Sequence, residues 1–273
     1  MEKLLIYTDL DATLIDAKSG DFSLALPLLK ELEKRGIPVM LNSSRTASEL
    51  LHLRKELGNC HPFGAEHGGT VCVPQGYFNG AAVAVEHEVK MDYLGLNYKA
   101  ILDQLIELKD LHDYSFLGFT DLSVTDLADE TGMDVEMAIK AKSRMASEAL
   151  LWLDSVDALQ HFESCLAQRQ LKLVKGGRFY YVIFERADKG GAIHWINFNF
   201  HEAQPQTKFR TIGIGDSSND LALLAHVDQP VVVVPPRGKA LDLERPGTLY
   251  TKAAGPKGWV EGVQAALESL GVW

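Results

Sequence analysis

Asp9-Leu10-Asp11-Ala12-Thr13 sets two carboxylates and a hydroxyl at alternate positions, directly after the apolar run Leu4-Leu5-Ile6-Tyr7. Such a run reads as a central strand of a parallel sheet, and open α/β sheets bind ligands just beyond the carboxyl ends of their strands. Paired carboxylates at that mouth suit acid–base or cation-binding chemistry. The same residues also suit a turn or a helix cap, so the chemical reading needs partners elsewhere in the chain.

Partners come in the last third. Gly213-Ile214-Gly215-Asp216-Ser217-Ser218-Asn219-Asp220 follows an expected strand and opens a helix, which concentrates oxygen acceptors where a cation could sit. The stretch lacks the third glycine of a dinucleotide fingerprint. Asp220 also has the spacing of a capping partner for Ser217. Asp188-Lys189-Gly190-Gly191 puts a lysine just ahead of a helix beginning at Ala192, where its charge opposes the helix dipole. That mismatch points to a use for Lys189 beyond solvation.

The elements that position these residues alternate strand and helix. Pro27 and Gly36 bracket an apolar-periodic helix, the strand Ile37 to Leu41 leads into Asn42-Ser43-Ser44-Arg45, and Thr46 to Glu49 opens a second helix as a capping box, ending near Gly58. Glycines then split Phe63 to Val73 into a strand and a turn. Right-handed crossovers place these loops on one edge of the sheet. Alternation returns with a helix over 192–199, a strand over 211–214 and a buried strand over 231–234. The fold expected is therefore α/β, with a Rossmann-like parallel sheet.

Between about Glu86 and Asp188 the character changes. Helical patterns cover 94–111 and 134–153, and a hairpin is expected over 171–184, turning at Gly176-Gly177. This is an α+β module inserted into the α/β domain, which divides the chain into 1–85, 86–188 and 189–273.

The 273 residues can bury a large core, and 46% hydrophobic with 23% charged content is that of a globular protein. A net charge of −10 argues against nucleic acid or an anionic membrane as partner, and an anionic substrate needs a local cation. Cys60, Cys72 and Cys165 form no CxxC pair, so they read as reduced and buried. No basic leader or membrane-length apolar stretch is present, which points to the cytoplasm.

In chain order, Asp9-x-Asp11-x-Thr13, Ser43 after an apolar strand, Lys189, and Gly215-Asp216-x-x-Asn219-Asp220 resemble the haloacid dehalogenase superfamily. The second aspartate of the first motif resembles its phosphotransferases. Glu66-His67-Gly68-Gly69, the segment Ala141 to Glu148, Gly176-Gly177-Arg178-Phe179 and Gly255-Pro256-Lys257-Gly258-Trp259 are similar to the mannosyl-3-phosphoglycerate phosphatase family, over essentially the whole chain.

The resemblance implies a hydrolase core with the inserted module as its cap, a phosphorylated sugar or sugar-glycerate substrate, and Mg²⁺. It implies that Asp9 attacks phosphorus to form an aspartyl-phosphate and that Asp11 protonates the leaving group and activates water. Ser43 and Lys189 would hold the phosphoryl group. Asp9, Asp216, Asp220 and the Asp11 carbonyl would form the metal site, with Asn219 supporting it. Ser43, Ser44 and Arg45, and in the cap Arg144, Glu148 and Arg178, would meet the substrate, guanidinium groups being suited to a carboxylate. Arg144 and Glu148 also have the spacing of an intrahelical ion pair, Arg178 could be an ordinary hairpin residue, and Trp259 reads as core. Other readings are a glucosyl-3-phosphoglycerate or different sugar-phosphate phosphatase, a sugar phosphotransferase, and a silent sugar-phosphate sensor.

Departures from the family pattern are Ala12 for glycine, Arg45 for lysine and Ala149 for proline. Ala12 keeps the turn provided the position needs no positive φ.

Overall fold

The computed structural model describes residues 2–80, 83–176 and 178–272. The chain begins β1 (Glu2–Thr8), α1 (Leu26–Lys34), β2 (Val39–Leu41), α2 (Ala47–Leu57), β3 (Phe63–Ala65), β4 (Thr70–Pro74) and β5 (Val89–Tyr93). It continues α3 (Tyr98–His112), β6 (Phe116–Gly118), α4 (Val124–Thr131), α5 (Val135–Lys142), β7 (Ser147–Trp152), α6 (Val156–Ala167), β8 (Leu171–Lys175) and β9 (Tyr180–Phe184). It closes with α7 (Lys189–Ala203), β10 (Lys208–Gly215), α8 (Leu221–Ala225), β11 (Gln229–Val232), β12 (Leu249–Tyr250) and α9 (Gly255–Ser269).

β1 is apolar along its length because both of its faces are covered. Its even residues Leu4 and Ile6 join a core built from α1, α2 and α9, while Leu5 and Tyr7 pack on Ile193 and Ile196 of α7 and Leu223 of α8. The strand order is β12-β11-β10-β1-β2, all parallel. From β1 the chain moves one way to β2, and from β10 the other way to β11. The reversal lies between β1 and β10, where a crevice opens at the carboxyl ends. Trp259 of α9 is fully buried, and its indole N–H donates to Thr8 Oγ1 at 3.0 Å, so it is core as expected.

β3, β4 and β5 form a small antiparallel sheet joined to the end of β2 by the Asn42–Gly64 bridge. β5 pairs with β4 and continues this small sheet to Tyr93. A second antiparallel sheet, β6-β7-β9-β8, carries a cap domain whose helices α3 and α6 bury Ile101, Leu105, Leu108 and Phe162 against Leu150, Leu171 and Val182.

The expected helix over 134–153 is corrected. Asp134 caps α5, which ends at Lys142, and Ser147–Trp152 is the strand β7, hydrogen-bonded between β6 and β9. Pairing on both sides overrides the helix preference of Ala, Leu and Glu in that stretch. Arg144 and Glu148 are therefore not an intrahelical pair. The hairpin is present, closed by Gly176 N–H donating to the Phe179 carbonyl at 2.9 Å, and Gly177 lies outside the described residues. All three cysteines are unpaired, Cys72 and Cys165 buried and Cys60 only partly so. Among the described residues no helix is long and apolar enough to cross a membrane.

Candidate active site

Asp9 leaves the end of β1 with its N–H donated to the Ile214 carbonyl of β10 at 2.9 Å. This parallel register brings it beside Asp216, the residue after β10. Carboxylate oxygens of Asp9, Asp216 and Asp220 lie within 4.8 Å of one another, all buried. Gly215 is required here, because a Cβ would stand 2.5 Å from the Asp220 side chain. Asp220 both caps and neutralises. Its Oδ2 accepts the N–H groups of Asp216 at 3.0 Å and Ser217 at 3.2 Å, and its Oδ1 accepts Lys189 Nζ at 2.6 Å.

Lys189 Nζ donates to Asp9 Oδ1 at 2.5 Å as well, and to Asn219 Oδ1 at 3.3 Å. The lysine is the first residue of α7, not a residue ahead of a helix starting at Ala192. Asp188 is the N-cap, accepting Gly191 N–H at 2.7 Å. Asn42, at the end of β2, donates its amide to the Lys189 carbonyl at 2.8 Å and fixes the start of that helix. Burial opposes the lysine's charge, but Asp220 and Asp9 outweigh it and raise its pKa. Burial and then Asp220 also raise Asp9 well above the ordinary carboxylate range, against the pull of Lys189. Burial and Asp220 push Asp216 up to about 6, with Thr13 Oγ1 donating to it at 3.3 Å. Three buried carboxylates thus stand around one ammonium, bonded to two of them, and the excess negative charge suits a hard cation with oxygen ligands.

Asp11 stands to the side, half exposed, in the fork of Arg45, with Nε at 3.1 Å and Nη2 at 2.6 Å. Its carboxylate lies outside the buried cluster and is held by Arg45. Ala12 between them has φ +62°, the left-handed region, so the proviso on this position fails and alanine sits where glycine fits best. Ser43 is fully buried, its N–H bonded to the Gly64 carbonyl at 3.0 Å and its Oγ accepting Arg45 N–H at 3.2 Å.

The cap residues divide. Arg144 reaches the core loop: its Nη2 lies 3.5 Å from the Ser44 carbonyl and 2.8 Å from Ser147 Oγ, and the guanidinium stacks on Tyr181 at 5.3 Å. Glu148 does not come to Asp9. It alternates with Ser147 and Ala149 along β7 and points to the helix-covered face, where Tyr98 Oη donates at 2.8 Å and Thr120 N–H at 3.0 Å. Arg178 is exposed in the hairpin turn and bound to Glu130 through its carbonyl and carboxylate.

Glu66 and His67 hold the loop after β3 against the cap, which their sequence context does not announce. Glu66, with φ +52° and no exposure, accepts Met145 N–H at 2.8 Å, Ala146 N–H at 3.1 Å and Ser147 Oγ at 2.5 Å, tying the core loop to the cap. The adjoining Gly68 has φ +83°, and a Cβ there would meet the Asp188 carbonyl at 2.0 Å. His67 rests on Tyr181, with ring centroids 4.8 Å apart. Its place in Glu66-His67-Gly68-Gly69 was a signal, but nothing in that motif says which way the ring points. A cavity of about 370 Å³ beside Lys189 is lined by His67, Lys172, Ser218 and Asn219, while a larger one of about 570 Å³ lies at the amino ends of the strands by Lys3, His61 and Tyr77.

A family model for haloacid dehalogenase-like hydrolases matches residues 6–234, and the chain belongs to that family. It is 32% identical over 269 residues, 98% of each chain, to a glucosyl-3-phosphoglycerate/mannosyl-3-phosphoglycerate phosphatase of Persephonella marina. Among solved structures it resembles a Thermoplasma acidophilum protein, with a TM-score of 0.68, 16% identity and 100% of both chains covered. It also resembles a phosphatase of the haloalkanoate enzyme superfamily from Bacteroides thetaiotaomicron, with a TM-score of 0.67, 17% identity, and coverage of 100% of this chain and 96% of that one. These structural likenesses bear on the fold of core and cap. Family and relative together make the chain a phosphoric monoester hydrolase.

Proposed function

We propose that this hydrolase is a Mg²⁺-dependent phosphatase that converts mannosyl-3-phosphoglycerate to mannosylglycerate and phosphate, with the glucosyl compound as the second reading because the Persephonella marina relative is named for both. The observation that carries the chemistry is the ammonium of Lys189 held between Asp9 and Asp220, with Asp216 alongside, at the reversal of strand order. The donor set fits Mg²⁺: Asp9, Asp216 and the Asp11 carbonyl would hold it, with Asp220 and Asn219 supporting the shell. When bound it would offset the repulsion between Asp9 and a phosphate and polarise the phosphoryl group.

The chain's own residues then act in order. An Asp9 carboxylate oxygen bonds to phosphorus as the bond to the glycerate oxygen breaks, and the carboxyl of Asp11 gives that oxygen a proton. Water next yields a proton to Asp11 and bonds to phosphorus, and the bond to Asp9 breaks, releasing phosphate. Lys189 and Ser43 stabilise the charge on nucleophile and phosphoryl oxygens, aimed beforehand by Asn42 and the Gly64 carbonyl. Arg45 positions Asp11 and is placed, with the Ser44 loop and Arg144, to meet the substrate.

In this reading the inserted cap lies within 86–188, entered after Tyr93 and left before Lys189, and the enzyme works in a reducing compartment such as the cytoplasm, in keeping with its unpaired cysteines. The test is phosphate release from mannosyl- and glucosyl-3-phosphoglycerate beside simple sugar phosphates, with and without Mg²⁺. Mg²⁺-dependent release fastest from a glycosyl-3-phosphoglycerate supports it; preference for a simple sugar phosphate retains the chemistry and replaces the substrate.

A further inference from the structure

The cavity beside Lys189 holds a cation that the phosphoryl chemistry does not use. Lys172 and Lys175 of β8 line it from the cap, His67 from the core loop, and Lys189 and Asn219 join it to the Asp9 cluster. Lys172 pairs in register with Ile183, which pairs with Ser147, the residue bound by Glu66. It therefore stands on the core-facing side of the cap sheet, alternating with Leu171 and Leu173, which pack into the cap interior. Lys172 enters no ion pair or hydrogen bond among the described residues. Burial pulls its pKa down, with Asp188 and Glu185 acting against it at longer range. A partly desolvated ammonium without a bonded counter-ion, at the wall of a cavity that it shares with Lys189, the residue bonded to Asp9, is poised for an anion.

His67 sets the polarity of the opposite wall. Burial and then the charges of Lys189 and Arg144 hold its pKa well below the ordinary value, and its buried Nε2 has no hydrogen-bond partner. A neutral ring with an unmet nitrogen suits a hydroxyl.

We propose that Lys172 is the seat for a carboxylate on the leaving alcohol, with His67 bonding a hydroxyl of the same ligand. The inference rests on the phosphatase reading above and deepens it. It assigns the recognition of a glycerate-type leaving group to β8 rather than to Arg178, whose guanidinium is spent on Glu130.

The experiment compares 3-phosphoglycerate with glycerol 3-phosphate, which has a hydroxymethyl group in place of the carboxylate. Binding is measured by titration calorimetry on Asp9→Asn protein in Mg²⁺, with and without Lys172→Gln. The parent is expected to bind 3-phosphoglycerate about tenfold tighter, as a charge-assisted contact allows. Lys172→Gln should remove that preference and leave glycerol 3-phosphate binding unchanged, which also reports an intact fold. No preference in the parent, preference surviving Lys172→Gln, or loss of both ligands overturns the proposal. The substrate reading fails separately: absence of release from the glycosyl-3-phosphoglycerates by the unmodified enzyme, with the carboxylate preference intact, retires the named substrate and leaves the seat.

Discussion

At the carboxyl ends of β1 and β10, Asp9, Asp216, Asp220 and Lys189 are buried against one another, whereas in the cap Glu148 and Arg178 are occupied by Tyr98, Thr120 and Glu130, outside the cluster. The core site comes from parallel register: once β1 and β10 pair, the residues that follow each strand must meet. The cap has no such rule. There, a charged side chain serves the site only if it falls on the core-facing side of the antiparallel sheet, as Lys172 does and Glu148 does not. Chemistry is thus fixed by topology in one region and recognition by strand alternation in the other.

The sharpest way to break that contrast is to alter the core cluster. Asp9→Asn should lower phosphate release by about 10⁴ or more while circular dichroism stays unchanged, as for the loss of a nucleophile that acts as part of a unit; retained turnover would remove Asp9 from its role. Lys189→Met should lower kcat by about 10²–10³ through loss of a preorganised cation. It should also cost about 3–5 kcal/mol in denaturant unfolding, since Asp9 and Asp220 lose their shared partner. Chelation of divalent ions should stop turnover, and added Mg²⁺ should raise the melting midpoint because it binds only the folded cluster, a stabilisation of up to about 2.7 kcal/mol at a hundredfold excess over Kd. Asp216→Asn should abolish that midpoint shift.

Much of the core was legible because its signals are local. The apolar run before Asp9, the capping box Thr46–Glu49 and the glycine-to-aspartate turn at Gly215-Asp216 each follow from a few neighbouring residues, and each appears in the fold. Asp220 carried two readings, cap and site acid; it caps Ser217, and its carboxylate also lies in the cluster with Asp9 and Asp216. The cap was legible as an α+β insertion but not in detail. Ala149-Leu150-Leu151 has helix-forming composition, and its strand state depends on β6 and β9, distant in sequence. The face on which Glu148 points followed that misreading. Ser123 with Asp126 and Ser155 ahead of Leu159 and Phe162 were available signals for α4 and α6. The positive φ of Glu66 and His67 comes from the packing of that loop against Asp188 and the cap, which residue types alone do not encode.

Smaller effects sharpen the comparison. Ala12→Gly should stabilise the protein by about 0.5 kcal/mol, relief of left-handed strain being partly offset by glycine's greater unfolded-state freedom. Turnover should hold, and a loss of stability would show that the strain is not felt. Glu148→Gln and Arg178→Ala should leave KM within about twofold, as expected of side chains paired away from the ligand; a tenfold rise for either would return that residue to the substrate.

Covalent capture tests the central claim most directly. The enzyme is mixed with phosphate-labelled substrate in Mg²⁺, quenched in acid and digested, and the labelled peptide is sequenced. Label on Asp9, absent from Asp9→Asn, is the predicted result. Product formed with no labelled peptide, or label on any other residue, would contradict the account.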